Sequence, residues 1–256
     1  MVRRYIARAA RRRADVVHFH EGALSGYGAG LASPDYDWAA LREATESVLD
    51  EARKRRIWVV LGSAHPLTPP HKPHNSLYLI SPDGRIADRY DKRFLTPTDL
   101  AVYSPGNHFV TFELKGLTCG LLICYDLRFP ELYAELYKRG VRVLFQSFQN
   151  AGFHGPGIHE HIMRQTLQAH AAINALWVSA PNSSAPYCRW GSVFVQPDGR
   201  IAARLPRTRA GLMVNAVDPS ERFYDAGSRY RGVALGSRLS NAPPVRDPRS
   251  RDRRSL

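Results

Sequence analysis

Apolar positions along the chain predict helices and strands in alternation. They recur at helical spacing over residues 36–53, and an unbroken apolar run at 57–62 follows, as expected of a buried strand. The same reasoning predicts further helices over 2–13, 130–139 and 158–175, and further strands over 14–20, 117–124, 141–146, 176–180, 192–196, 201–205 and 212–217. Regular alternation of this kind indicates an α/β protein.

Two segments repeat one hairpin design. Pro82-Asp-Gly-Arg-Ile-Ala87 and Pro197-Asp-Gly-Arg-Ile-Ala202 carry the same turn sequence between apolar flanks. The repetition fits a sandwich of two similar halves.

A cysteine stands where a predicted strand meets a predicted helix. Cys124 ends the apolar run 117–124, and Pro130 occupies the expected first position of the next helix. The positive end of a helix dipole would stabilise a thiolate and lower the pKa of the cysteine below about 8.5. The alternative is an inert cysteine buried as a small apolar side chain.

Two other charged residues adjoin predicted strands. Glu21 follows the strand at 14–20, and burying a carboxylate there is costly unless the carboxylate has a task. Lys92 follows the first hairpin in a charged segment, where simple exposure to solvent is the alternative. The order glutamate, lysine, cysteine therefore suggests thiol-based hydrolysis.

The peptides around these residues resemble those of the carbon-nitrogen hydrolase family, also called the nitrilase superfamily. They are His20-Glu-Gly-Ala-Leu-Ser-Gly-Tyr27, Tyr90-Asp-Lys-Arg-Phe-Leu95 and Cys124-Tyr-Asp-Leu-Arg-Phe-Pro-Glu131. The resemblance extends to about residue 220. It implies a four-layer α-β-β-α sandwich, a catalytic set of Glu21, Lys92 and Cys124, and a homodimer or higher homo-oligomer.

The chain departs from the family pattern in three places. Family members usually open with a strand, whereas residues 2–13 resemble the helix after it, so we expect the first strand to be missing. Asp99 occupies the place of a second glutamate. His170 and Ile173 replace an arginine and a glutamate, which predicts the loss of a supporting pair.

The resemblance also implies a mechanism that needs no metal and no cofactor. Glu21 would act as the general base, and Cys124 would form a thioester. Lys92 and the backbone N–H of Tyr125 would stabilise the oxyanion. Asp99 would hold Lys92 or position the water.

The substrate is less sharply defined. Cys124-Tyr-Asp resembles the amidase and carbamoylase branches of the family. A small linear amide, cleaved with release of ammonia, is the first expectation, and an N-carbamoyl amine or amino acid is the alternative. Arg128 and His154 are candidates for substrate binding. An alternative of another class is a catalytically silent binding protein with the same fold.

Charge is concentrated at the two ends of the 256-residue chain. The net charge is +13, and residues 1–13 and 238–256 contribute +6 and +4 of it. We expect one hydrolase domain over 1–237 and a disordered, solvated tail rich in proline and arginine over 238–256. Nucleic acid is therefore not an expected partner, although the positive charge alone would permit one.

Cysteine content and hydropathy indicate the compartment. Cys119, Cys124 and Cys188 form neither an even disulfide framework nor a close metal-binding pair. No apolar run approaches the roughly 20 residues of a membrane span. We expect a cytoplasmic protein with no membrane partner. The cluster His154, His159, Glu160 and His161 lacks the spacing of a metal site on a helix.

Overall fold

The computed structural model describes residues 1–27, 36–151 and 157–254. The helices of this part are α1 (Val2–Arg11), α2 (Trp38–Arg55), α3 (Pro97–Val102), α4 (Pro130–Lys138), α5 (His159–Asn174), α6 (Arg231–Leu235) and α7 (Pro248–Arg251). The strands are β1 (Val16–His18), β2 (Trp58–His65), β3 (His74–Ile80), β4 (Ile86–Asp91), β5 (Thr111–Leu114), β6 (Leu117–Ile123), β7 (Val143–Ser147), β8 (Trp177–Ala180), β9 (Val193–Val195) and β10 (Ile201–Arg204).

The strands form two sheets. The first has the order β1-β2-β3-β4, with β1 parallel to β2 and the other pairs antiparallel. The second has the order β10-β9-β8-β7-β6-β5, and its centre, β6-β7-β8, is parallel. In this arrangement β1 and β4 run in the same direction, so their carboxyl ends share one edge of the first sheet. The carboxyl ends of β6 and β7 likewise share one edge of the second sheet.

Alternating side chains of β2 show how the layers stack. Val59 and Leu61 pack outward against α1 and α2, in a cluster with Ile6 and Ala52. Val60 points the other way, into the cluster between the two sheets. α4 and α5 cover the second sheet through apolar residues that include Leu132, Leu136, Met163 and Leu167. The predicted four-layer α-β-β-α sandwich is confirmed.

The boundaries of most predicted elements are right to within a few residues. α4 begins at Pro130 as predicted, and both hairpins form. The strand predicted over 14–20 is reduced to Val16–His18. The strand predicted over 212–217 is wrong. Leu212, Met213 and Val217 of that fully described stretch pack against the apolar clusters without pairing to a sheet.

The carboxyl-terminal segment contributes little to the core. Every described residue from 238 to 254 is exposed, and the segment includes the short helix α7. The boundary between domain and tail at residue 237 stays a prediction.

At the amino-terminal end, α1 packs its Ile6 and Ala9 into the apolar cluster on the first sheet, as a helix predicted over 2–13 would.

Candidate active site

Lys92 lies at the centre of a buried cluster of charges, directly after β4. Its Nζ donates hydrogen bonds to Glu21 Oε1 at 2.9 Å and to Asp99 Oδ2 at 2.8 Å. All three side chains are fully inaccessible to solvent. Burial alone would lower the pKa of Lys92, but the anions around it, Glu21 first among them, raise its pKa well above the ordinary value. The lysine therefore stays charged.

Glu21 holds one oxygen in the cluster and leaves the other unused. Oε1 accepts from Lys92 and also from Asn75 Nδ2 at 2.7 Å. Oε2 is buried and accepts no hydrogen bond from the described residues. Burial raises the pKa of Glu21, opposed by Lys92. A buried carboxylate with a raised pKa and a free oxygen is equipped to accept a proton.

The peptide that carries Glu21 lies directly on β2. The N–H of Leu24 donates to the carbonyl of Gly62 at 3.0 Å. A Cβ atom on Gly62 would stand 2.2 Å from the carbonyl oxygen of His20. Only glycine permits this close approach, so Gly62 sets the depth at which the carboxylate enters the site.

Cys124 directly follows β6 and has a strained backbone conformation. Its φ is +40°, in the left-handed region, and the thiol is buried. A non-glycine residue held in this region costs on the order of 1 kcal/mol or more and occurs frequently at functional sites. This backbone conformation turns the chain sharply from the strand into the 3-10 helix Cys124–Arg128.

The expected lowering of the cysteine pKa is wrong. Burial raises the pKa of Cys124, the nearby charge of Glu21 raises it further, and Lys92 lowers it only in part. The α-helix that was to stabilise a thiolate, α4, starts only at Pro130, and a short 3-10 helix intervenes. Cys124 therefore rests as a thiol, and its activation requires a base.

Asn150 is a contact of the cysteine that the sequence did not reveal. It follows the carboxyl end of β7, the strand beside β6, and its Nδ2 lies 3.7 Å from Cys124 Sγ. Its Oδ1 accepts from Trp190 Nε1 at 2.7 Å, and its backbone N–H donates to Asn182 Oδ1 at 3.0 Å. The amide is thus fixed from two sides and points its donor at sulfur. In the sequence, the position of Asn150 just after a predicted strand was the signal that could have marked it as a site residue.

Asp126 joins the peptide of the cysteine to the peptide of the lysine. Its Oδ1 accepts from the N–H of Phe94 at 3.0 Å. Its Oδ2 accepts from the N–H of Ile123 at 3.0 Å and from the hydroxyl of Tyr90 at 2.7 Å. This buried carboxylate therefore fixes the spacing between the peptide of Cys124 and the peptide of Lys92. Its position two residues after Cys124 was the signal that sequence reasoning overlooked.

Asp99 supports Lys92 from the amino-terminal turn of α3. It caps that helix together with Thr96, and its Oδ1 accepts from the hydroxyl of Tyr27 at 2.7 Å. Burial would raise the pKa of Asp99, but the Lys92 ammonium lowers it below the usual range. The side chain of Asp99 is shorter than the glutamate of the family pattern, and it nevertheless contacts the Lys92 ammonium directly.

The remaining predicted site residues are Tyr125, Arg128 and His154. Tyr125 is the second residue of the 3-10 helix, where a backbone N–H has no acceptor within the helix. Arg128, at the end of the same helix, is exposed. His154 lies outside the described residues.

The expected loss of support from His170 is corrected in part. His170 Nε2 lies 3.1 Å from the carbonyl of Leu127, and its ring stacks on Tyr133 with centroids 3.8 Å apart. Burial lowers the pKa of His170, so the ring is neutral and donates from Nε2. It therefore holds the 3-10 helix after the cysteine. Ile173 is 62% exposed and takes no part.

Within residues 1–27, 36–151 and 157–254, no group of three or more potential ligands could hold a metal ion. Glu160 of the histidine cluster pairs with Arg189 at 2.7 Å. Cys119, Cys124 and Cys188 are all unbridged thiols. None of the described helices combines the length and apolar character needed to span a bilayer.

The sequence matches a family model described as carbon-nitrogen hydrolase over residues 2–222. An (R)-stereoselective amidase of a Pseudomonas species is 31% identical over 82% of this chain and 77% of its own length. The human omega-amidase NIT2 is 30% identical over 84% of this chain and 80% of its own length.

Solved structures confirm the fold. An amidase of the nitrilase superfamily from Nesterenkonia AN1 superposes with a TM-score of 0.69 at 22% identity, covering 80% of this chain and 78% of that chain. The same amidase has been solved in complex with butyramide, and that structure superposes with a TM-score of 0.66 at 23% identity over the same shares of the two chains. With the match along residues 2–222, these findings show that the chain belongs to the carbon-nitrogen hydrolase family and is an enzyme that hydrolyses carbon-nitrogen bonds.

Proposed function

We propose that the enzyme hydrolyses small linear amides through a thioester on Cys124 and releases ammonia. The observation that carries the proposal is the buried arrangement of Glu21, Lys92 and Asp99 beside a strained cysteine. The amidase relatives favour an amide as the substrate.

Glu21 activates the cysteine in this mechanism. Because Cys124 rests as a thiol, a base must take its proton, and the unused Oε2 of Glu21 is the available acceptor. The raised pKa of Glu21 increases its proton affinity, which brings the two groups closer to equal strength. The resulting thiolate attacks the carbonyl carbon of the amide.

Lys92 stabilises the negative charge on the carbonyl oxygen. An ammonium has three N–H donors, and Glu21 and Asp99 occupy two of them. The third is free for the oxyanion, together with the backbone N–H of Tyr125. Because water is excluded, these donors act at low dielectric, where each is worth far more than in solution.

Collapse of the tetrahedral intermediate breaks the carbon-nitrogen bond. Glu21 returns the proton to the departing nitrogen, so ammonia leaves and an acyl thioester remains on Cys124. Water then loses a proton to Glu21 and attacks the thioester. The carboxylic acid departs, and the proton returns to sulfur. No external oxidant, metal or cofactor enters this balance.

The roles of the outer residues belong to the same proposal. Asp99 fixes the lysine, and Asn150 orients the sulfur through its amide nitrogen. Arg128 and His154 are substrate-binding candidates from the sequence alone.

The first experiment measures ammonia release from a panel of linear amides and N-carbamoyl compounds. Cys124→Ala should lose at least ~10⁴-fold of the turnover. Cys119→Ala removes another buried thiol, from the strand that precedes Cys124, and should keep most of the turnover. Intact-mass spectra of quenched wild-type reactions should show an acyl adduct that Cys124→Ala lacks.

The alternatives give different outcomes in the same assay. Ammonia from the N-carbamoyl compounds alone would establish the carbamoylase activity and reject the amidase. Full activity in Cys124→Ala would reject the thioester. No activity across the panel, from a protein with an intact fold, would reject both substrate classes.

A homo-oligomer in the cytoplasm completes the proposal. Val214, Tyr224 and Leu239 expose between 51% and 93% of their surface in the carboxyl-terminal region, and an interface with another copy would cover this apolar area. Three unbridged thiols support a reducing compartment. Light scattering coupled to gel filtration should give at least twice the mass of one chain.

A further inference from the structure

A cavity of about 640 Å³ opens beside the amino-terminal turn of α5. Its walls come from α5, from the loop before β9 and from the end of β10. Four arginines line it: Arg164, Arg189, Arg204 and Arg207. Glu160 is the one carboxylate among the described residues that line it. The cavity therefore carries a surplus of positive charge.

Glu160 neutralises one of these arginines. Its Oε1 accepts from Arg189 Nη1 at 2.7 Å, and that hydrogen bond lowers the pKa of Glu160. The charge of Arg207 acts on the same carboxylate and also on Cys188. Arg164, Arg204 and Arg207 form no ion pair with any described lining residue.

These three guanidiniums present donors to the cavity. Arg164 Nε is buried and finds no acceptor among the described residues. Arg204 and Arg207 are exposed at the mouth of the cavity. A buried donor without an acceptor costs free energy, and like charges repel across the cavity. An anion in the cavity would relieve both penalties.

We propose that this arginine cavity binds a small oxyanion, a carboxylate or a phosphate. Guanidinium groups match both anions with paired N–H donors. A concave site with charge of one sign also concentrates counter-ions. The amino-terminal turn of α5 adds a partial positive charge at the same place.

The cavity is connected to the cysteine through two adjacent residues. The backbone N–H of Arg189 donates to the carbonyl of Asn150 at 2.9 Å, and Trp190 holds the side chain of Asn150. Asn150 in turn contacts Cys124. The anion is therefore either the acidic end of a substrate or a free ion that acts on the site through Asn150.

The test measures binding by titration calorimetry at constant ionic strength, with inorganic phosphate and glutarate as probes. Wild-type protein should bind at least one probe saturably. Arg204→Gln with Arg207→Gln should weaken that binding by about 10-fold. Arg85→Gln with Arg200→Gln is the matched control, because it removes two exposed arginines that pair with Asp83 and Asp198 in the hairpins.

Absence of saturable binding in the wild type, or an equal loss in both double variants, overturns the proposal. Both double variants change exposed side chains, and an unchanged melting temperature verifies their fold. The calorimetric result does not depend on turnover, so it is independent of the proposed amidase activity.

A kinetic comparison then identifies the source of the anion. The cavity variant is assayed with a dicarboxylic acid monoamide and with a neutral amide of the same chain length. A rise in KM confined to the acidic amide assigns the cavity to the substrate. Unchanged KM values, with calorimetric binding still lost, assign it to a free ion.

Discussion

Two clusters of charge in this protein are built on opposite principles. Around Lys92 every ionic group is buried and held between 2.8 and 2.9 Å from its partner. In the arginine cavity one carboxylate faces four guanidiniums, and two of the four are exposed. The two arrangements suit different tasks, because burial perturbs pKa values and prepares proton transfer, whereas surplus charge at a surface attracts ions.

The buried cluster carries two carboxylates against one ammonium. This imbalance raises the pKa of Glu21, because burial and the charge of Asp99 both oppose its ionisation. In the proposed mechanism, this raised pKa prepares Glu21 to accept the proton of Cys124. The cavity has the reverse imbalance, and its missing charge must come from a ligand.

Replacement of the buried lysine tests the cluster most severely. Lys92→Met leaves two carboxylates buried without their cation, so we expect kcat to fall ~100 to 1000-fold and the free energy of unfolding to fall by about 3 to 5 kcal/mol. Steady-state kinetics and urea unfolding measure the two effects. Lys115→Met is the control, since Lys115 forms an exposed pair with Asp15, and it should change little. Equal free energies of unfolding of Lys92→Met and Lys115→Met would contradict the stabilising role of Lys92 between the two buried carboxylates.

Asp99→Asn removes one charge and keeps the shape. We expect kcat to fall roughly 10-fold, because the lysine loses an ionic partner. Since the Asp99 charge raises the pKa of Glu21, its removal should move the acidic limb of the kcat/KM profile to lower pH.

Asp83→Asn, in an exposed hairpin turn, should leave the pH profile unchanged. An Asp99→Asn profile that coincides with the wild type would show that the two carboxylates are not coupled.

His18 offers a titration outside both clusters. It bridges the sheets, with Nε2 2.8 Å from Ser147 Oγ and Nδ1 3.0 Å from Ser179 Oγ. Burial, with a smaller contribution from His20, lowers its pKa to about 3. Between pH 6.5 and about 3 the unfolded chain binds a proton that the folded one does not, so stability falls as pH falls, by at most about 1.4 kcal/mol per unit.

The slope can be measured by urea unfolding at several pH values. His18→Gln should show a shallower loss of stability on acidification than the wild type, while His71→Gln, in an exposed loop, should follow it. Parallel curves for His18→Gln and wild type would exclude this histidine as a source of acid sensitivity.

A change of salt concentration should also distinguish the two clusters, and we expect its effects to be the smallest of these predictions. Between about 0.05 and 0.5 M salt, we expect turnover of a neutral amide to change less than ~2-fold, because buried pairs are poorly screened. Anion binding to the cavity should weaken several-fold over the same range. If turnover and anion binding depended on salt to a similar degree, the two clusters would not differ in how strongly salt screens them.

Local patterns in the sequence predicted much of the fold. The turn sequence Pro-Asp-Gly predicted both hairpins, and Pro130 predicted the start of α4, because these residues restrict the backbone wherever they occur. The strand predicted over 212–217 failed for the opposite reason. A strand exists only where a neighbour pairs with it, and the apolar pattern of Leu212–Val217 contains no information about neighbours.

The residues of the site likewise fall into those that a local pattern reveals and those that only a distant contact reveals. The peptides around Glu21, Lys92 and Cys124 were recognisable because each combines a reactive side chain with a strand end. Asn75 gave no such signal, since it lies within a strand and its importance comes from a partner 54 residues away.

The amino-acid sequence identified the residues that are candidates for the chemistry, because side-chain type and local backbone preference are properties of short segments. Their ionisation depends on the tertiary structure. It buried the cysteine thiol and raised its pKa, left one oxygen of Glu21 without a partner among the described residues, and gathered four arginines from α5, β10 and two loops around one cavity. Burial and through-space charge act between segments distant in the chain, and no local pattern encodes them.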